Sequence, residues 1–372
     1  MSSFTDLPLL PSLTASLTEQ GLTRPTEIQA RTLRDLLGGA SLIGVSETGS
    51  GKTLAYVLPM LHQLKTLENE GHPVSQTGRP RGLVLVPGRE LGEQVSKVFK
   101  GLTHATRVRV RVALGGSALR VARRNIGAPF EILVATPGRL VQLLDTGDLR
   151  LDDLRILVFD EADQIVDPGF LPVARRILED SRQAVQLVMF SATLPPTLET
   201  SAEQLFKKAP TKIRTQGSQK LVPSLRVVDK TVDEKSRLDG LGAVLAEDLG
   251  VSTLLFANTR EQCDAIARWL GHHGLDFVDY RGEMNRTERR DNLRRFRDGE
   301  VTMLLTTDLG GRGLDIEHLE RVINVHMPKD LTNYLHRAGR TARAGRAGLV
   351  VNLVTVKDKA LLAKLAKKKV GR

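Results

Sequence analysis

The feature that most constrains the fold of this chain is the stretch Ser41–Thr53, which reads SLIGVSETGSGKT. Its apolar run, Leu42–Val45, is short enough to form one buried strand, and Lys52 and Thr53 open an apolar, helix-forming segment that continues to Leu64. The intervening glycines let backbone N–H groups turn toward an anion, and the helix N-terminus adds its positive dipole end. The stretch therefore predicts a strand, a phosphate-binding loop and a helix. The alternative is a glycine-rich turn that binds nothing.

In such a loop, the lysine and the hydroxyl residue after it have separate tasks. Lys52 is expected to reach the β- and γ-phosphates of a nucleotide, and Thr53 to provide a ligand to Mg²⁺. The usual pattern begins with Gly or Ala, whereas this chain has Ser46, a small residue and a mild departure. The loop residues expected to bind the nucleotide are Ser46, Glu47, Thr48, Gly49, Ser50, Gly51, Lys52 and Thr53.

Apolar strands alternate with helical segments on both sides of one polar stretch. Strands are predicted at 42–45, 82–86, 108–114, 132–135, 156–159, 187–190, 253–256, 276–280, 303–306, 322–325 and 349–354. Such alternation is typical of parallel sheets covered by helices on both faces. At 372 residues, two domains are the natural expectation. We therefore predict an α/β chain with domains at 1–215 and 225–356, a linker at 216–224 and a basic tail at 357–372.

Two polar segments are predicted to lack regular structure. Residues 66–81 read as a loop between a helix and a strand. The end of the tail, Lys364–Arg372, has no apolar periodicity beyond Leu365 and is predicted to fray.

Composition excludes several classes of protein. No apolar run approaches about eighteen residues, so no membrane span is expected. The N-terminus has no signal-peptide pattern, and the single cysteine, Cys263, can form no internal disulfide. These features predict a soluble protein of the cytoplasm. The formal net charge of +11 favours a polyanionic partner, and an aromatic content of only 4% favours contacts to a nucleic-acid backbone over base stacking.

An acidic motif directly follows the strand predicted at 156–159. Asp160, at the carboxyl end of that strand, is expected to meet Mg²⁺, partly through water. Glu161 can point at the attacking water and accept its proton, which is the role of a general base. As a bare tetrapeptide the motif, Asp160 to Asp163, is weak evidence, and a solvated acidic turn is the alternative. Its place behind a buried strand and downstream of the phosphate loop favours ATP hydrolysis.

Further short motifs stand in a fixed order along the chain. They are Phe4 with GLTRPTEIQ ending at Gln29, SETGSGKT at 46–53, PGRELG at 87–92, Gly115-Gly116, TPGR at 136–139, DEAD at 160–163, Ser191-Ala192-Thr193, LLFANTR ending at Arg260, TTDLGGRGLDI at 306–316 and HRAGRTAR at 336–343. Together they resemble the motifs of the DEAD-box RNA helicases, a branch of helicase superfamily 2. The resemblance covers roughly residues 4–356. It implies two tandem RecA-like domains that use ATP and Mg²⁺ and act on RNA.

The resemblance also implies which residues recognise the adenine base. Gln29, with Thr26 in the same motif, would bond the donor and acceptor on the edge of adenine, and Phe4 would pack on the base. The alternative for Phe4 is a staple residue under the first helix.

In the second domain, the resemblance implies a set of residues that complete the nucleotide site. Arg340 and Arg343 are similar to the arginines that enter the cleft from this domain and contact the γ-phosphate. Asp315 is similar to the residue that holds the ribose or nearby waters. For Arg337 and Arg343, a solvated basic face is the alternative.

RNA contacts are implied mainly at small residues, where backbone N–H groups can approach phosphates, and at arginines that add charge. The implied RNA-binding residues are Arg89, Gly116, Thr136, Gly138, Arg139, Arg260, Gly282 and Thr307. Those implied to couple ATP hydrolysis to RNA are Ser191, Ala192, Thr193 and His336. Contacts to the backbone carry no base information, so binding is expected to be largely sequence-independent and salt-sensitive.

This chain departs from the family pattern at four further positions. Gly88 stands where a Thr is usual, Arg281 where a His is common, Arg286 where a Gln is usual, and Ala342 where a Gly is usual. None of these touches the expected Mg²⁺ ligand or general base. Our hypothesis is that the positive charge of Arg281 and Arg286 compensates for the hydroxyl lost at Gly88.

These observations predict an ATP-dependent RNA helicase. RNA-stimulated ATP hydrolysis would be coupled to domain closure and to local, non-processive duplex separation or remodelling of RNA–protein complexes, with protein cofactors possible as partners. One alternative is an ATP-gated RNA clamp or scaffold with little unwinding activity, which the same motifs would serve. An inactive nucleotide-binding relic and a DNA-directed translocase of the same superfamily are further alternatives, and intact Lys52, Glu161 and Arg343 oppose the first of these.

Overall fold

The chain forms two compact units, Met1–Ser218 and Gln219–Arg372. The computed structural model describes all residues except 1–2, 48, 167–168, 216–223, 249, 312–315, 317, 343–346 and 371–372. The division between the units lies within the segment 216–224 that the sequence predicts as a linker.

Unit 1 is built around a seven-stranded parallel sheet with the order β3-β4-β2-β5-β6-β1-β7. Its strands are β1 (Leu42–Val45), β2 (Gly82–Leu85), β3 (Val110–Ala113), β4 (Ile132–Ala135), β5 (Ile156–Asp160), β6 (Gln186–Ser191) and β7 (Thr211–Arg214). Its helices are a 3-10 turn (Phe4–Asp6), α1 (Pro11–Glu19), α2 (Glu27–Leu37), α3 (Lys52–Asn69), α4 (Arg89–Thr106), α5 (Leu119–Asn125), α6 (Pro137–Asp145), α7 (Ala162–Ile165), α8 (Leu171–Glu179) and α9 (Pro196–Leu205).

Helices cover both faces of this sheet because both sides of its central strands are apolar. Successive strand residues point to opposite faces. In β1, Ile43 and Val45 pack into one hydrophobic core and Leu42 into the other. β1 lies between β6 and β7, so the carboxyl ends of β1, β5 and β6 meet at one edge of the sheet. Loops that follow these ends are the usual place for a ligand site in such a sheet.

Unit 2 repeats the architecture with a six-stranded parallel sheet of order β10-β11-β9-β12-β13-β8. Its strands are β8 (Leu225–Thr231), β9 (Thr253–Ala257), β10 (Val278–Tyr280), β11 (Met303–Thr307), β12 (Arg321–Asn324) and β13 (Gly348–Val354). Its helices are α10 (Arg237–Ala246), α11 (Arg260–His272), α12 (Arg286–Arg297), α13 (Asp308–Gly311), α14 (Leu331–Ala338), a 3-10 turn (Val356–Asp358) and α15 (Lys359–Val370). The predicted fold class, two α/β units with mostly parallel sheets flanked by helices, is confirmed.

The sequence missed one strand at the edge of each sheet, β7 and β8. The residues of β7 are mostly exposed, and those of β8 alternate between exposed and half-buried positions. An edge strand pairs through its backbone on one side only, so it needs no continuous apolar run. Of the predicted strands, β3 and β10 also lie at sheet edges, and the others lie inside the sheets, where burial on both faces demands such a run.

Two helices extend beyond their predicted ends. α3 continues to Asn69, into the segment expected to be a loop from residue 66, because Leu67 packs against the core on that side of the sheet. The expectation that the chain frays from Lys364 is wrong, since α15 runs to Val370 and buries Leu365 in the core of unit 2. Its two buried leucines, Leu361 and Leu365, are four residues apart, and this spacing in the sequence already indicated a helix face.

Two further features concern the single cysteine and the membrane. Cys263 lies buried on α11. Within the described part of the chain, no helix is long and apolar enough to cross a membrane. The cytoplasmic location stays a prediction.

Candidate functional site

The phosphate loop lies between β1 and α3, as the sequence predicted. The backbone N–H of Ser46 donates to the carbonyl of Ser191 at 3.0 Å, which ties the start of the loop to the end of β6. Further along, the Ser50 hydroxyl donates to the carbonyl of Glu47 at 2.7 Å. Gly51, with a φ of 89°, is left-handed backbone just before α3 begins. Thr48 lies outside the described residues.

Lys52 is folded back onto its own loop. Its ammonium group donates to the carbonyls of Ser46 and Glu47, both at 2.6 Å, and only 9% of the residue is exposed. Burial lowers the pKa of Lys52, while nearby carboxylates, chiefly Asp160, oppose that effect. A phosphate oxygen could replace either carbonyl as the acceptor, so the lysine is positioned to exchange partners when an anion enters the loop.

Asp160 is held at the end of β5 by hydrogen bonds to both of its carboxylate oxygens. The Tyr56 hydroxyl donates to Oδ2 at 2.7 Å, and the backbone N–H of Glu161 donates to Oδ1 at 3.0 Å. Burial raises the pKa of Asp160 to about 6, and the bond from Tyr56 opposes this rise. Tyr56 was not among the site residues predicted from the sequence. Its signal was a hydroxyl within an apolar helix, four residues after Lys52 and so on the same helix face.

Glu161 adopts a left-handed backbone, with φ 53° and ψ 50°. This conformation costs about 1–2 kcal/mol for a residue with a side chain, so the surrounding packing must impose it. The Glu161 carboxylate accepts a hydrogen bond from the Gln164 amide at 2.6 Å and is 8% exposed. Strain concentrates at functional positions, and its occurrence here supports the assignment of Glu161 to the site.

The last residue of the acidic motif contacts the segment that follows β6. One oxygen of Asp163 accepts from the Thr193 hydroxyl at 2.6 Å and from its backbone N–H at 3.2 Å. The Thr193 N–H is also 3.3 Å from the Ser191 hydroxyl. Of the predicted coupling residues, Thr193 is therefore bonded directly to the motif that contains Glu161, and Ser191 is bonded to Thr193.

Gln29 connects the N-terminal motif to the phosphate loop. Its amide oxygen accepts from the backbone N–H of Thr26 and its amide nitrogen donates to the carbonyl of Gly51, both at 2.9 Å. A Cβ on Gly51 would lie 2.5 Å from that nitrogen, so this contact also requires glycine. The predicted contact of Gln29 with adenine is not tested by these bonds and stays a prediction.

Phe4 lies inside unit 1 rather than on its surface. It is 2% exposed and packs in a core with Leu7, Leu13 and Leu17. This burial agrees with the alternative interpretation, a staple under the first helix. Packing of Phe4 on a nucleotide base would require this side chain to move.

Ser46, which replaces the usual Gly or Ala, uses its hydroxyl in a hydrogen bond. Its hydroxyl accepts from the Thr215 hydroxyl at 2.9 Å, and the Thr215 backbone N–H donates to the carbonyl of Val45 at 3.1 Å. An Ala or Gly at this position would lack the hydroxyl pair. The serine thus fastens the chain just before residues 216–223 to the phosphate loop.

In unit 2, Arg337 of the HRAGRTAR motif is buried and bonded on all sides of its guanidinium. It is 1% exposed, and Nε and Nη2 donate to the two carboxylate oxygens of Asp308 at 2.5 and 2.8 Å. Nη2 also donates to Asn258 at 2.7 Å, and Nη1 donates to Asn324 and to the carbonyl of His326. The solvated basic face proposed as its alternative is wrong, because this guanidinium joins three of the motifs inside unit 2.

The other predicted nucleotide residues of unit 2 are only partly described. Arg340 is 4% exposed and donates from Nε to the carbonyl of His336 at 3.1 Å. It lines a cavity of about 600 Å³ at the amino ends of β9, β11 and β12. His336 is also buried. Arg343 and Asp315 lie outside the described residues, and the catalytic role of the arginines stays a prediction.

Several predicted RNA contacts of unit 1 brace a single turn, residues 115–117. Arg89 donates to the carbonyl of Gly115 at 3.0 Å, and the Thr136 hydroxyl accepts from the N–H of Gly115 at 3.0 Å. The guanidinium of Arg139 donates to the carbonyl of Ser117. Gly116, at the tip, has a φ of 75°. These side chains thus shape a turn whose backbone a phosphate could approach; Gly138 nearby has open space around its Cα.

The hypothesis that Arg281 grips RNA does not fit its surroundings. Its guanidinium donates to both oxygens of Asp279, at 3.1 and 2.8 Å, and to Asp264, and its side chain is only 12% exposed. Arg260, in contrast, has a side chain that is 67% exposed, with carboxylates of Asp264 and Glu283 no nearer than 3.8 Å. Arg281 therefore holds β10 against α11 and neutralises acidic groups. The predicted contacts at Gly282 and Thr307 and the effect of Arg286 stay predictions.

This difference predicts how two arginines affect RNA binding. Arg260→Gln should weaken binding of single-stranded RNA and reduce the slope of log affinity against log salt by about 0.7, the contribution of one phosphate contact. Arg281→Gln should leave that slope unchanged, because its charge is already paired. Fluorescence anisotropy across a salt series, with a non-hydrolysable ATP analogue present, measures both. If both variants reduced the salt-dependence slope equally, Arg281 would contact an RNA phosphate directly after all.

Comparison with known proteins identifies the family of this chain. The family model DEAD/DEAH box helicase matches residues 26–201, and the model Helicase conserved C-terminal domain matches residues 236–345. The chain is 34% identical to the ATP-dependent rRNA helicase RRP3 of Encephalitozoon cuniculi, over 95% of this chain and 86% of that protein. It is 33% identical to the DEAD-box ATP-dependent RNA helicase 39 of Arabidopsis thaliana, over 98% of this chain and 60% of that protein.

The solved structures agree with the sequence relatives. A structure of Dbp5 from S. cerevisiae matches with a TM-score of 0.85 and 26% identity, covering 99% of this chain and 93% of that one. The fold and the site define a tandem RecA-like ATPase. The chain belongs to the DEAD-box family of ATP-dependent RNA helicases. The predicted family and class of enzyme are therefore confirmed.

Proposed function

We propose that this chain couples RNA-stimulated ATP hydrolysis to closure of its two units and to local, non-processive separation of RNA duplexes or remodelling of RNA–protein complexes. The observation that carries the proposal is a connected set of hydrogen bonds at one edge of the unit 1 sheet. It joins the phosphate loop to β6 at Ser46 and the acidic motif to the segment after β6 at Asp163. A change at the nucleotide can therefore alter the coupling residues directly.

The residues present fit Mg²⁺ as the cofactor. Magnesium is usually held by one or two protein oxygens together with substrate phosphates, and Thr53 and Asp160 offer such oxygens beside the loop. Among the described residues, no cluster of three or more Cys, His, Asp or Glu side chains is arranged to hold a metal, and a site of this kind does not need one. When bound, Mg²⁺ would neutralise charge on the phosphates. Lys52 would hold the phosphates from the other side.

Glu161 would act as the general base. In this role it accepts the proton of the attacking water while its backbone, fixed by the strained turn, keeps the carboxylate in place. Gln164 is already bonded to that carboxylate and would hold it in place while it takes the proton from water. Release of the γ-phosphate would shift the acidic motif, and the Asp163–Thr193 bond would transmit that shift to the segment that couples hydrolysis to RNA.

Unit 2 would complete the site when the two units close. Arg340 and Arg343 would then contact the γ-phosphate, which makes hydrolysis depend on closure. RNA would favour the same closed state by binding both units through its backbone, so the two ligands shift one equilibrium. The similar Dbp5 structure is bound to RNA and ADP BeF3, which supports this pair of ligands for the present chain.

ATP turnover with and without single-stranded RNA tests the proposal. We expect RNA to raise turnover severalfold, because closure completes the arginine contacts. Equal turnover in both conditions would contradict the coupling to RNA and leave an ATPase of the same fold.

Strand release distinguishes the helicase from the RNA clamp. We expect a short duplex with a single-stranded extension to be separated in an ATP-dependent reaction. RNA-stimulated turnover with long RNA residence and no strand release would favour the clamp instead.

A further inference from the structure

A phenol lies beside the two residues expected to hold Mg²⁺. Tyr56 is on α3, three residues after Thr53, so the two side chains are neighbours on one helix face. Tyr56 is 1% exposed, and its hydroxyl donates to Asp160 Oδ2 at 2.7 Å. The phenol is therefore bonded to one of the two expected ligands and adjacent to the other.

This arrangement bears on the orientation of the Thr53 hydroxyl as a metal ligand. A threonine that binds a metal must direct an oxygen lone pair at the ion, so its proton must point to another acceptor. The phenol oxygen of Tyr56 can accept a hydrogen bond from the Thr53 hydroxyl while its own O–H donates to Asp160. Partners of this kind fix the orientation of metal ligands, and their loss typically reduces metal affinity by about 10–100-fold.

We propose that Tyr56 is a positioning residue for the magnesium site, orienting Thr53 and Asp160 through one hydroxyl. This inference rests on the proposed function, because it presupposes that these two residues hold the ion. It goes beyond that function by assigning a role to a residue outside the motif's usual ligands. The role belongs to the hydroxyl and not to the ring.

The structure separates these two parts of the side chain. The ring packs against Phe190, with ring centres 5.8 Å apart and a tilt of 39°, and it lies in the core on that face of the sheet. Phenylalanine would keep this packing. Tyr56→Phe therefore removes the hydroxyl alone and leaves the core of unit 1 filled.

The test measures nucleotide affinity rather than turnover. A fluorescent ADP analogue is titrated into the full chain with Mg²⁺ and again with a chelator, and the ratio of the two affinities gives the gain due to magnesium. For Tyr56→Phe we expect the gain to fall about tenfold, with affinity in chelator within twofold of the wild type. Tyr334→Phe is the matched control, because it also loses a buried hydroxyl, bonded to Asn352 at 3.2 Å in unit 2. Its gain should not change.

Asp160→Asn separates failure of the inference from failure of the proposed site. If Asp160→Asn abolishes the magnesium gain while Tyr56→Phe stays within twofold of the wild type, the role of Tyr56 is wrong and the site stands. If Tyr56→Phe weakens binding equally with and without Mg²⁺, its hydroxyl is structural and the inference is overturned. A full gain in Asp160→Asn would contradict the proposed magnesium site and the inference together.

Discussion

Glu161→Gln should reduce ATP turnover by about 10²–10⁴-fold while leaving ATP affinity within a few-fold of the wild type. Glutamine has the shape of glutamate and can still accept the bond from Gln164, but it cannot take a proton from water. The loss should therefore appear in the chemical step. Single-turnover hydrolysis in saturating ATP and RNA, together with a binding titration, measures the two effects separately.

Glu203→Gln is a suitable control for this experiment, because it removes one carboxylate from an exposed position on α9 of the same unit. Its turnover should match the wild type. If Glu161→Gln hydrolysed ATP within tenfold of the wild type, Glu161 would not be the general base. If the same variant also bound ATP much more weakly, the substitution at Glu161 would be affecting nucleotide binding at the phosphate loop and not the chemical step alone.

The sequence predicted those strands that lie nearest the site. β1 and β4 match their predicted bounds, and β5 and β6 differ by at most one residue at an end. These strands are buried on both faces, so each is a nearly continuous apolar run that only a sheet centre accommodates. β7 and β8 were missed for the opposite reason: their side chains are exposed or half-buried, so neither strand has a continuous apolar run.

Side-chain partners were harder to predict than strands. Motif positions identified Lys52, Asp160 and Glu161, because the chemistry of phosphate and magnesium restricts the residue type at each. Nothing in the motif spacing showed that Tyr56 bonds to Asp160 or that Arg337 is buried, since both contacts join residues far apart in the chain. Arg281 was misjudged for the same reason: its charge is visible in the sequence, whereas the two aspartates that pair with it are brought together only by the fold.

Arg337→Leu should destabilise unit 2 by about 3–5 kcal/mol, the usual effect of breaking a buried ion pair by removing one partner. The substitution leaves Asp308 without its bidentate partner, and it leaves the side chains of Asn258 and Asn324 without their donors. Asp308 is 24% exposed, so water can solvate its carboxylate and offset part of the lost stability. The single tryptophan of the chain, Trp269, lies in unit 2, and its fluorescence during urea unfolding reports this unit alone.

Two companion variants make the stability measurement specific. Arg337→Lys keeps the charge but lacks the planar fork that bonds both oxygens of Asp308, so it should lie between the wild type and Arg337→Leu. Arg290→Leu removes an arginine whose side chain is 76% exposed and should change stability by no more than about 0.5 kcal/mol. If Arg337→Leu unfolded within about 1 kcal/mol of the wild type, the network would contribute little to folding. The role of Arg337 would then lie in what Asp308 and its motif do when RNA and ATP bind, and the loss would appear in RNA-stimulated turnover instead.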